Sequence, residues 1–171
     1  MHTCDPTFLL DSQDYETIMA RRIIGEEYAV IYNRQLSSKL PEIAQTVSER
    51  TGLPVYILNG DGCLLDETCN TLRGDIGPRE FLSMLWYSSF VLAASFHATA
   101  FSILFRKPFY SMMKSGGERV ESLLRMAGLE DRLIAHSSEI DVGHVIDYGQ
   151  VYGRLSGYLS RSKAYLKENL A

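Results

Sequence analysis

Phe90, Val91 and Leu92 form a short apolar run with a β-branched centre, the pattern of a strand covered on both faces. A polar break follows at Ser95, and apolar residues resume at Ala98, Ala100, Phe101, Ile103, Leu104 and Phe105. Arg106, Lys107 and Pro108 end the run, and cations followed by proline are a helix-stop signal. The stretch therefore predicts strand, turn, helix and the start of a further strand. The same alternation runs on either side. Glu27–Tyr32 and Pro54–Leu58 read as strands. Between them Leu36, Leu40, Ile43 and Val47 make the stripe of an amphipathic helix, closed by Gly52.

Gly77-Pro78 opens another helix, with Phe81, Leu82, Leu85 and Trp86 inward. Pro108–Met112 predicts a strand, and Val120, Leu123, Leu124 and Ala127 line a helix that Gly128 stops. Near the start, Asp5–Leu10 reads as a linker with a short apolar segment, and Asp11 or Ser12 caps a short helix containing Tyr15, Ile18 and Met19. Asn59–Asp75 reads as one long polar loop. Leu133-Ile134 suggests a last short strand. Asp147–Leu170 predicts a final helix, with Val151, Leu155, Tyr158, Leu159, Tyr165 and Leu166 on one face. Strands alternating with helices indicate α/β architecture: one Rossmann-like three-layer domain over residues 1–171, with a parallel sheet between helices.

Composition narrows the function. A net charge of −4 and the lack of a dense Lys/Arg stripe exclude a nucleic-acid binder. Three cysteines suit a reducing compartment better than a disulfide framework. The N-terminus carries no basic-then-apolar signal pattern. The stretch from Phe90 to Phe105 is shorter than the roughly 20 residues of a membrane helix, so no transmembrane segment and a cytoplasmic location are expected. Cys63 and Cys69, with Asp61, Asp66 and Glu67, form no CxxC pair and have no nearby histidine, so no metal is expected.

His97 is the foremost candidate for chemistry. It falls where a predicted strand's carboxyl end meets a predicted helix, the position at which open α/β sheets bind ligands and free N–H groups favour anions. Imidazole ordinarily titrates near neutrality and suits general acid or base work. The hydroxyls of Ser95 and Thr99 either donate to a bound anion or cap the helix. Ser115-Gly116-Gly117, ahead of a helix, is a weak anion-loop signal. Arg106 and Lys107 read as surface charges complementing a helix dipole, Arg132 as paired with nearby acids, and His136 and His144 as solvated loop residues.

The segment SFHATAFSILFRKPF resembles the SFHGT-type signature of the polysaccharide pyruvyl transferase family. GPREFLSMLWYSSFVLAAS, ERVESLLRMAGLEDRLI, Asp5-Pro6-Thr7 and the tail from IDYGQVYGRL to YLKENL fit the same family in the same order. The family usually has glycine where this chain has Ala98, a methyl that would hold a ligand away from the backbone. The resemblance implies transfer of the pyruvyl unit of phosphoenolpyruvate to sugar hydroxyls in exopolysaccharide or cell-surface polysaccharide synthesis. Phosphoenolpyruvate is then a donor substrate, and no cofactor is needed.

The implied fold is the C-terminal, donor-binding half of a two-domain enzyme like the GT-B glycosyltransferases. Its N-terminal half would be absent, and a partner domain or second copy would be engaged through the final helix. His97 would be the general acid or base. Arg119 matches the family's arginine just inside the helix after the glycine loop, where it would clamp phosphate or carboxylate beside Gly116 and Gly117. Asp5 reads as turn structure or interdomain packing. Two alternatives stand beside this: a nucleotide-sugar glycosyltransferase, which requires an acid such as Glu118, Glu139 or Asp141 near the ribose, and a non-catalytic half-domain kept for assembly.

Overall fold

The computed structural model describes residues 3–34, 39–113 and 116–170. Four parallel strands form its centre: β1 (Ala29–Asn33), β2 (Val55–Asn59), β5 (Phe90–Ala93) and β6 (Phe109–Ser111). Two short strands, β3 (Leu64–Leu65) and β4 (Thr71–Arg73), extend one edge, giving the order β4-β3-β2-β1-β5-β6. Ile31 of β1 sits opposite Ile57 of β2 and Leu92 of β5, so one register runs across the central strands.

Successive side chains point to opposite faces, and each face has its own core. Ala29, Ile31, Val55, Ile57, Phe90 and Leu92 pack under α2 (Leu40–Thr51) and the 134–140 segment. Val30, Leu58, Val91 and Ala93 pack against α3 (Pro78–Tyr87), α4 (Phe96–Leu104) and α5 (Glu118–Ala127), with α6 (Tyr148–Leu170) outside. The chain steps from β1 through α2 to β2 in one direction, and from β5 through α4 to β6 in the other. Right-handed crossovers then put α2 and α4 on opposite faces. The order reverses between β1 and β5, which opens a crevice at their carboxyl ends.

The start and stop signals hold locally. Asp11 caps α1 (Ser12–Ile18) in a reciprocal capping box with Asp14. Gly52 and Gly128 end α2 and α5 with φ of 70° each, a region that favours glycine. Three expectations need correction. Asn59–Asp75 is not one loop: β3 pairs antiparallel with β2 and with β4, so the sheet is mixed and not wholly parallel. Asp66 shapes the turn between them by accepting the amides of Thr68 and Asn70. Asp5–Leu10 is not a linker but a capped 3-10 turn, Pro6–Phe8, whose Phe8 is buried. Leu133 forms only an isolated parallel bridge to Ser111. Leu36 and Ser115 lie outside the described residues.

α6 ties the two ends of the chain together. Val151 and Leu155 are buried, and the Cys4 amide donates to Ser162 Oγ at 2.9 Å. Tyr158 and Leu159 are half-buried, while Tyr165 is exposed.

Candidate functional site

α4 begins directly from the carboxyl end of β5. Ser95 is its N-cap in extended conformation, and its Oγ accepts the Ala98 amide at 3.1 Å. The two amides before that, of Phe96 and His97, have no acceptor within the helix. His97 projects from this first turn into solvent, and no side-chain hydrogen bond to it is present among the described residues. It lines a cavity of about 630 Å³ at the carboxyl end of the sheet. The other walls come from Tyr32 at the end of β1, from Leu58 and Asn59 at the end of β2 with Gly60 and Gly62 beyond it, from the start of α3, and from Phe101. The crevice that the topology opens between β1 and β5 is thus a cavity with an imidazole at its edge.

Beside His97 a short chain of contacts fixes a guanidinium. The Arg119 guanidinium lies over the Phe96 ring, 4.1 Å from its centroid, and the Phe96 and His97 rings meet edge-on at 5.6 Å. Arg119 also donates to Asp5 Oδ2 at 2.9 Å, with the arginine side chain 66% exposed and that of Asp5 13% exposed. The other Asp5 oxygen, Oδ1, accepts the amide and hydroxyl of Thr7. Burial pushes the Asp5 carboxyl up. The two Thr7 hydrogen bonds and the positive charges of His97 and Arg119 outweigh it and hold the carboxyl below its ordinary value.

Asp5 shapes a turn, as expected, and it also pairs with Arg119. The signal available was its place in the Asp5-Pro6-Thr7 segment; the 114-residue separation from Arg119 hid the pairing.

The remaining predicted residues divide. Ser95 caps α4 through its Oγ and stands beside the cavity-lining His97 without itself lining the cavity. Thr99 turns inward: it is fully buried, donates to the Ser95 carbonyl at 2.9 Å and meets Ser111 Oγ at 2.8 Å. Ala98 is also fully buried, so its methyl points into the core and leaves the His97 turn unobstructed. Gly116 adopts φ of 65°, and Gly117 opens α5 without a side-chain cap. Glu118 and Glu121 sit in that same first turn and offset its attraction for anions.

Lys107 is not a surface charge. Its ammonium is half-buried and donates to the Ser88 carbonyl at 2.9 Å, and burial lowers its pKa. Arg132 is buried and pairs with Asp131 at 3.1 Å, remote from the cavity. Among the described residues no group of three or more His, Cys, Asp or Glu side chains can hold a metal ion, and no helix is long and apolar enough to cross a membrane.

A family model described as polysaccharide pyruvyl transferase matches residues 1–113. The match spans β1 to β6, including Asp5 and His97, and ends before Gly116, Gly117 and Arg119. No curated protein and no solved structure matches.

Proposed function

Because the chain belongs to the polysaccharide pyruvyl transferase family, we propose that it binds phosphoenolpyruvate beside His97 and serves transfer of the pyruvyl unit to saccharide hydroxyls. The observation that carries this reading is a solvent-facing imidazole on a 630 Å³ cavity, next to a guanidinium held by a carboxylate. Arg119 and the amides at the start of α4 hold the anionic groups of the donor. His97 delivers a proton to the methylene carbon of the enol, which becomes a methyl group. A sugar hydroxyl adds to the neighbouring carbon and passes its proton to the now neutral imidazole. The C–O bond to phosphate then breaks, a second hydroxyl bonds to the same carbon and closes the ketal, and its proton leaves with inorganic phosphate. Proton transfer by a positioned side chain contributes roughly 10²- to 10⁴-fold to such a step.

The wider assignment belongs to the same proposal. The chain acts as the donor-binding half of a GT-B-like enzyme of exopolysaccharide or cell-surface polysaccharide synthesis in the cytoplasm. Its partner is an N-terminal domain, or a second copy, engaged along α6 near the exposed Tyr165. Isothermal titration with phosphoenolpyruvate tests donor binding, and a pyruvylation assay in the two-domain enzyme tests chemistry. Binding lost in Arg119→Ala, with turnover lost in His97→Ala, is the expected result. Normal pyruvylation by His97→Ala, or tighter binding of a nucleotide sugar than of phosphoenolpyruvate, overturns it.

A further inference from the structure

We propose a second binding site, separate from the His97 crevice, in which Arg132 and Arg154 hold a small oxyanion of the phosphate or carboxylate class. It does not rest on the pyruvyl-transfer reading, and either can fail without the other. The starting point is an orphaned buried charge. Arg132 is 3% exposed, and its Nε is the one buried side-chain nitrogen or oxygen among the described residues with no hydrogen-bond partner. The guanidinium lies over the Tyr110 ring, 4.9 Å from its centroid, and Nη2 donates to the His144 carbonyl at 2.7 Å. No other hydrogen bond from it is present among the described residues. Asp131 Oδ2 comes within 3.1 Å of Nε, but the N–H is not directed at it, so charge is near while the donor stays unpaired. Buried charges are ordinarily both paired and hydrogen-bonded, and an orphaned donor is a cost that a ligand removes.

There is room for one. Arg132 lines a cavity of about 200 Å³ with Arg154, His144 and Gln150, between the end of α5 and the start of α6. A water takes about 30 Å³ of liquid volume, so this space admits a phosphate or a small carboxylic acid. Arg132 and His144 also border a cavity of about 180 Å³ beside Phe90 and Phe109, the first residues of β5 and β6. The site therefore lies toward the amino ends of these strands, whereas the His97 crevice is at the carboxyl ends. Arg154 is exposed and makes no hydrogen bond or ion pair among the described residues. A Cβ at Gly128 would come within 2.5 Å of Arg154 Nη1 and 2.8 Å of its Nε, so the glycine that ends α5 also leaves the space this guanidinium occupies.

Two carboxylates border the cavity, and both are committed elsewhere. Asp147 Oδ1 accepts the Gly149 and Gln150 amides, and Oδ2 accepts the Gln150 side-chain amide. Asp131 Oδ2 lies 3.1 Å from Arg132 Nε and 3.3 Å from His144 Nδ1. Neither forms an ion pair with Arg154. One guanidinium thus lacks a counter-ion and the other lacks hydrogen bonds. An oxyanion supplies both, because the planar N–H fork of arginine matches the oxygens of carboxylate or phosphate. A cation would face two arginines, and an apolar ligand would leave the donors unpaired. A bound oxyanion would clamp α6 to the turn after α5.

NMR on the 171-residue chain tests the site, with sodium phosphate and sodium acetate as separate probes at constant ionic strength against sodium chloride. The arginine Nε–Hε cross-peaks report on the guanidinium groups directly. The expected result is a saturable shift of the Arg132 and Arg154 peaks with phosphate, with acetate or with both, which tells phosphate recognition from carboxylate recognition. The response should persist in Arg119→Ala, where the His97 crevice has lost its own guanidinium. Arg154→Gln changes an exposed side chain without a partner and should weaken binding roughly tenfold or more. Arg132→Lys keeps the charge, loses the fork and should weaken it likewise. The binding probe should also raise Tm of the wild-type chain by mass action. Shifts that grow without saturating for both probes, equal affinity in wild type and Arg154→Gln, or loss of all response in Arg119→Ala overturn the site.

Discussion

Replacing Ala98 by glycine, the residue usual at this position in the resembling family signature, separates a methyl that faces ligand from one that faces core. The structure puts this methyl wholly inside, in the cluster shared by α4, α5 and the sheet. Removing a buried methyl costs about 0.8 kcal/mol in lost transfer energy. Glycine in a helix costs up to about 1 kcal/mol relative to alanine, less in a first turn, where this residue sits. The sum is about 1–2 kcal/mol. For a domain of this size each kcal/mol moves Tm by roughly 2–4 °C, so Ala98→Gly should melt about 2–8 °C lower. The Ser95 hydrogen bond to the residue-98 amide survives the change, so the His97 turn keeps its geometry. Thermal unfolding followed by circular dichroism reads the first effect, and calorimetric titration with phosphoenolpyruvate reads the second. An unchanged Tm together with donor binding tenfold tighter or more would refute the reasoning, because it would place the methyl at the ligand.

Three further outcomes follow from the geometry. Thr99→Val leaves the Ser111 hydroxyl and the Ser95 carbonyl short of a partner and should cost about 1–3 kcal/mol in chemical denaturation with donor affinity unchanged; weakened donor binding at wild-type stability would return Thr99 to the site. Asp5→Asn releases Arg119 and should weaken phosphoenolpyruvate binding. The folded Asp5 carboxyl titrates below its unfolded value of about 3.9, so its contribution is present above that pH and is lost as pH falls through the folded value. Wild type should therefore lose stability relative to Asp5→Asn below about pH 4, and parallel acid-unfolding curves for the two proteins would contradict a carboxyl held low by Thr7 and its neighbouring charges. Leu64→Ala removes a buried side chain of the edge hairpin and should cost about 2–5 kcal/mol, whereas a loop residue would cost almost nothing in the same denaturation experiment.

Local chemistry was legible wherever it is written in neighbouring residues. The apolar runs at β1, β2, β5 and β6, the glycine stops at Gly52 and Gly128, and the Ser95 cap each follow from contacts within a few positions. The placement of His97 at a strand end followed for the same reason, because strand, turn and helix are contiguous there. The edge hairpin was hidden because Leu64-Leu65 is too short to carry a periodicity, and only pairing with β2 makes it a strand.

The inward turn of Thr99 is decided by Ser111, twelve residues on, and the fixing of Arg119 by Asp5 at the opposite end of the chain. The sequence alone thus determined the order of strands and helices, the parallel core of the sheet and the imidazole at its mouth. Tertiary structure decided which hydroxyl turns into the core, which carboxylate partners the arginine, and that aromatic rings from β1, α3 and α4 line one cavity. Burial and long-range pairing are properties of the packed chain, and no local pattern encodes which distant side chain will arrive.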